Sequence, residues 1–168
     1  MCCNTFIGSA RLSFMGRALQ RRLKMRPLDN PVIEGMLNLL VTAAHLTQRA
    51  EAEYARFGLT TSTYNVLRVL RGSPEGLPRG EIAQRLVNPA PDVTRLIDRL
   101  ERRGLVRRAR TRTDRRVSLT RITAKGRALV EQAEPANVAQ HAPLESALSP
   151  GEWRQLSAFC ERIYGDPE

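Results

Sequence analysis

Apolar residues recur at helical spacing along most of this chain. Asp29-Asn30-Pro31 reads as a helix start, with Asn30 as N-cap and Pro31 at the first helical position. From there a stripe runs through Ile33, Met36, Leu37, Leu40, Ala44, Thr47, Ala50, Tyr54 and Phe57, and Gly58 stops it. The spacing predicts a helix of about 27 residues, roughly 40 Å long at 1.5 Å per residue. A stripe that long exceeds what a small domain buries by itself, so a partner chain is the economical cover. Thr60 caps the next helix, which turns Tyr64, Val66, Leu67 and Leu70 inward. A Gly-Pro-rich loop follows over 72–76, and Leu77 is expected in a short strand that pairs with a later hairpin.

The stretch 78–123 is the organising block. Residues 79–87 form a short helical pattern with Ile82, Ala83 and Leu86 on one face. Asn88-Pro89-Ala90-Pro91 breaks it, because proline disfavours a helical residue before it. Val93, Leu96, Ile97 and Leu100 then fall at i, i+3, i+4 and i+7, one helical stripe. The two prolines leave the first residue of this helix open by one or two positions, with Asp92 as one candidate cap. Gly104 ends it, where a left-handed residue is needed. The flanks 105–110 and 116–123 carry β-branched residues around a polar loop, which reads as a hairpin. Helix, turn, helix, hairpin is the order of a winged helix-turn-helix. Thr123 caps a further helix that Pro135 should kink or interrupt, and Pro143 breaks the pattern again. Ser149-Pro150-Gly151-Glu152 is a capping box that opens a last helix striped by Trp153, Leu156, Cys160 and Ile163. The expected fold is mainly α with a small β-wing.

Charge sharpens this picture. Residues 79–127 hold fifteen Lys+Arg against five Asp+Glu, a surplus of ten that equals the net charge of the whole chain. Residues 128–168 are acidic, with seven acids and two bases, and 29–78 are nearly balanced. A basic surface concentrated on one helix and hairpin is the electrostatic footprint of a DNA binder. Residues 1–28 have six basic residues, no acid and no clear fold signal, and are expected to be disordered. They read either as a basic arm that adds non-specific DNA affinity or as untranslated sequence ahead of a start at Met25.

Composition excludes other classes. At 168 residues one domain with a real core is possible. No apolar run approaches the roughly 20 residues of a membrane span. Three cysteines, two of them adjacent at Cys2 and Cys3, are no disulfide framework and suit a reducing cytoplasm. The scattered Cys and His lack metal-ligand spacing. No nucleophile–base pair, phosphate loop or carboxylate pair points to an enzyme, and no cofactor is implied.

The run 93–106, VTRLIDRLERRGLV, resembles the recognition helix and first wing strand of the MarR family of bacterial transcriptional regulators. Asp114-Arg115-Arg116 is similar to that family's wing-tip D-x-R, and Ile122-Thr123-Ala124-Lys125-Gly126 to its entry to the next helix. The resemblance implies a DNA-reading lobe over about 59–123. It also implies dimerisation helices over about 30–57 and 124–164, within one domain spanning 29–168. It implies a homodimer on an inverted repeat of double-stranded DNA. Asp92, Thr94, Arg95 and Arg99 are the expected recognition-helix contacts, with Arg95 suited to guanine O6 and N7. Alternatively, Arg95 pairs with Asp92 or Asp98 on the helix surface. Arg110 is an expected wing contact to DNA, Arg112 and Arg115 are expected on phosphates and Arg116 in the minor groove, with Asp114 holding the wing tip. His45, Arg49 and Tyr64 are the residues that would meet a small anionic aromatic ligand and relieve repression. The rival reading is a non-specific architectural or RNA-binding basic protein.

Overall fold

A computed structural model describes residues 16–26, 28–87, 92–110 and 118–165, apart from the side chain of Arg110. The chain divides into two compact units at Thr47 and Gln48. The break in the sequence between 88 and 91 and the start of the chain lie outside the described residues.

The second unit holds the core. It contains the end of helix α2 (Pro31–Ala55), α3 (Thr61–Arg71), strand β1 (Leu77–Pro78), α4 (Arg79–Gln84), α5 (Val93–Arg102), β2 (Val106–Arg110), β3 (Ser118–Ile122), α6 (Ala124–Ala139), α7 (Ala142–Glu145) and α8 (Pro150–Tyr164). Val66, Leu67 and Leu70 of α3, Ile82 of α4, Ile97 and Leu100 of α5 and Val130 of α6 meet in one buried cluster. Each such side chain contributes about 1.5–3 kcal/mol by leaving water. Apart from Val130, these are positions that the helical spacing selects.

The caps follow the sequence. Thr60 and Thr63 close a reciprocal capping box on α3, and Ser149 and Glu152 do so on α8. The Ser149 main chain and hydroxyl hold the Glu152 carboxyl below its ordinary range. Thr123 accepts from the Gly126 amide at the start of α6. Pro135 lies inside α6 without interrupting it. Its missing N–H removes a single ladder bond, and burial of Val130 and Ala133 holds the helix across that gap.

The three strands form one antiparallel sheet in the order β1-β3-β2. Leu77 stands opposite Thr120, and Val106 opposite Ile122. Leu77 does pair with the hairpin, as its isolated apolar position implies. Gly104, at φ +68°, turns the chain from α5 into β2. Gly126 is a glycine for another reason: a Cβ there would collide with the carbonyl oxygen of Leu105.

The first unit holds α1 (Arg17–Leu23) and the start of α2. The expectation of disorder through residue 28 is corrected here: residues 17–23 are helical. Leu19 is buried at 3% exposure, and the Gly16 amide donates to the Glu34 carboxylate at 2.8 Å. One buried leucine and one tether fix a segment whose basic composition alone gave no helix signal. On α2, Asn30 caps as expected, accepting from Val32 and Ile33, while Val32, Ile33, Met36, Leu39 and Leu40 stay exposed.

Candidate nucleic-acid interface

Helix α5 has three kinds of face. Val93, Ile97 and Leu100 point into the core. Arg95, Arg99 and Arg102, also at i, i+4 and i+7, are exposed on the opposite side. Thr94, Asp98 and Glu101 repeat the same spacing on a flank.

Asp92 is the N-cap that the prolines left open. Its carboxylate accepts from the Arg95 amide at 3.0 Å and pairs with the Arg95 guanidinium at 2.8 Å. Arg95 is 88% exposed in that pair, where an ion pair is worth under about 1 kcal/mol. DNA can therefore recruit this guanidinium at little cost. Arg99 and Arg102 have no ion-pair partner among the described residues.

The flank of α5 is occupied by two arginines from elsewhere in the fold. Arg79, the first residue of α4, donates to the Thr94 hydroxyl at 3.0 Å. Arg108 of β2 donates its amide to Glu101 at 2.9 Å, and its guanidinium spans Glu101 at 3.2 Å and Asp98. Between them an open cleft of about 410 Å³ is lined by Arg79, Thr94, Arg108, Ser118 and Thr120 over Pro78 and Ile97. Among the described residues two guanidiniums and three hydroxyls line it; Arg108 is already paired with Asp98 and Glu101, which leaves Arg79 for an anionic oxygen.

In sequence Arg79 and Arg108 are only two of the fifteen basic residues of 79–127. The signal for Arg108 was present: two acids at i and i+3 on a helix otherwise studded with arginine need a cation nearby. Arg112, Asp114, Arg115 and Arg116 lie outside the described residues, as does the Arg110 side chain.

The MarR family's sequence profile matches residues 57–117, which run from the end of α2 through α5 into the wing. A MarR transcription factor of Planctomyces limnophilus is 36% identical, with 80% of this chain and 98% of that chain covered and a TM-score of 0.61. The chain belongs to the MarR family. The MepR–DNA complex of S. aureus is also similar, at 26% identity and a TM-score of 0.68 over 74% of this chain and 92% of that one. The homoprotocatechuate degradative operon repressor of Escherichia coli is 27% identical over 108 residues, 64% of this chain and 72% of its own length. As a MarR-family protein with a winged helix-turn-helix, the chain is a DNA-binding transcriptional regulator.

The three residues singled out for a MarR-type ligand are placed differently from one another. His45 is exposed and lines an open cleft with Ala18, Leu19, Arg22 and Val41. Arg49 is half-buried. Tyr64 is 2% exposed, with its ring stacked on Tyr54 at a centroid distance of 4.1 Å. Burial pushes the Tyr64 hydroxyl up to about 12. Tyr54 is raised by burial as well, and its hydroxyl donates to Asn137 of α6 at 2.7 Å.

Proposed function

We propose that this MarR-family regulator binds an inverted-repeat operator as a homodimer in the cytoplasm and represses nearby genes. The observation that carries the reading is the outer face of α5. There Thr94, Arg95 and Arg99 stand at the start of a helix whose opposite side is locked into the core. That is the part of a recognition helix that reaches base edges in the major groove. Asp92 holds the first turn, and Arg79 at the adjoining cleft meets a backbone phosphate. In the wing, Arg110, Arg112 and Arg115 meet phosphates, Asp114 holds the tip and Arg116 enters the minor groove. The second copy covers the exposed apolar stripe of α2, where Val32 is 76%, Met36 51% and Leu40 59% exposed. Repression is supported by the relative named as an operon repressor. A small anionic aromatic compound relieves it by binding the DNA-incompetent arrangement more tightly.

Selection of bound sequences from a random DNA pool, followed by titration in rising salt, tests this. One enriched palindrome with half-sites about one helical turn apart, roughly 10 bp, is the expected result. Uniform binding without enrichment, collapsing in salt, would replace it with a non-specific nucleic-acid binder.

A further inference from the structure

The end of α5 is a joint on which two other helices converge. Arg103, just past the last turn, donates its guanidinium to the Gly58 carbonyl at 2.6 Å and to the Phe57 carbonyl at 3.5 Å. Those carbonyls are the C-terminal corner of α2, the negative end of its dipole, where a cation is favoured. The carbonyl of Arg103 accepts in turn from Lys125 of α6 at 3.0 Å. The next two residues are tied to α6 as well: the Thr123 hydroxyl donates to the Gly104 carbonyl at 2.8 Å, and the Thr123 amide to the Leu105 carbonyl at 3.0 Å. Gly126 then lies too close to Leu105 for any side chain. Three consecutive residues at the base of the recognition helix are thus held by the end of α2 and the start of α6.

We propose that Arg103 is a positioning residue that fixes the orientation of α5 relative to α2, and through it the half-site spacing that the dimer accepts. Charge counting alone would assign Arg103 to the DNA phosphates. Its guanidinium is instead used on carbonyls 45 and 46 residues away in sequence. The inference rests on the homodimer reading, because spacing has meaning only when two recognition helices are held by one interface. A rigid joint makes spacing selective. Each inserted base pair turns one half-site by about 34° relative to the other, since B-DNA repeats in about 10.5 bp. A joint without its tether lets α5 follow that rotation.

The test uses the full-length protein, its selected palindrome and the same palindrome with one or two base pairs inserted at the centre. The unaltered protein is expected to lose roughly tenfold or more in affinity per insertion, comparable to a mismatched base pair. Arg103→Ala is expected to bring the inserted sites within about threefold of the parent site while keeping the salt slope of the unaltered protein. Arg103→Lys, which keeps the charge but not the two-pronged donor, is expected to behave as Arg103→Ala in spacing. A salt slope shallower by about 1.8, two phosphates per dimer, in Arg103→Ala with spacing selectivity intact would overturn the proposal and make Arg103 a phosphate contact. Full spacing selectivity in a folded Arg103→Lys protein would also overturn it. If the unaltered protein selects no palindrome, the homodimer reading itself fails, an outcome visible before any variant is made.

Discussion

Arg108 in the first wing strand grips Glu101 in the recognition helix twice, through its amide at 2.9 Å and its guanidinium at 3.2 Å. The same guanidinium reaches Asp98 one turn earlier. The first wing strand and the helix are therefore tied together, and this arginine is spent on protein rather than on DNA. Replacement by Met, which keeps the aliphatic stem, leaves two carboxylates without their cation. The pair is about one-third exposed, so stability should fall by a solvent-screened amount of about 1–2 kcal/mol, read from urea unfolding. Operator affinity should fall as well, with a salt slope that stays the same.

Asp92 and Arg95 separate a cap from a contact. Asp92→Ala removes the side chain that accepts the Arg95 amide, and should cost about 1 kcal/mol of stability. Arg95→Ala removes an exposed group, and should change stability by less than about 0.5 kcal/mol. Its effect should appear on DNA, as a relaxed base preference and a loss of about 1–3 kcal/mol on the selected site. Equal base preference in the Arg95→Ala protein would return that arginine to the helix surface.

Leu100 has no exposed surface and belongs to the buried core cluster. Leu100→Ala should lower unfolding free energy by about 2–5 kcal/mol, the transfer loss plus the cavity. The urea midpoint should drop with little change in slope.

Tyr64 gives the protein an alkaline weakness. Its hydroxyl titrates near 10 in the unfolded chain and is pushed up to about 12 by burial in the folded one. Below pH 10 both states hold the proton, and the stability linked to it is fully present. Between 10 and about 12 the unfolded chain loses its proton first, so stability falls as pH rises. The Tyr64 hydroxyl is buried without a hydrogen-bond partner among the described residues. Tyr64→Phe should therefore be near neutral at pH 7, within about 1 kcal/mol, and should flatten the alkaline arm of a melting-temperature profile.

Local chemistry was the legible part of this chain. Thr60, Ser149 and Gly104 act on neighbours a few residues away, so their roles can be read from spacing alone. The core of α3 and α5 was legible for the same reason, because one helical period sorts inside from outside. What could not be read depends on the tertiary fold. Arg79, Arg103 and Arg108 are alike as letters in a basic run. Only the fold puts the first on a threonine, the second on the end of α2 and the third on two carboxylates. The short α1 was missed because its anchor is a carboxylate 18 residues away.

The collision that reserves position 126 for glycine also fixes the root of the wing. At its root, the register of Val106 on Ile122 and the seat of Gly126 under Leu105 admit no insertion without displacing α6. The root is a fixed socket. A side chain placed at position 126 is therefore expected to register as a folding defect before any change in operator choice.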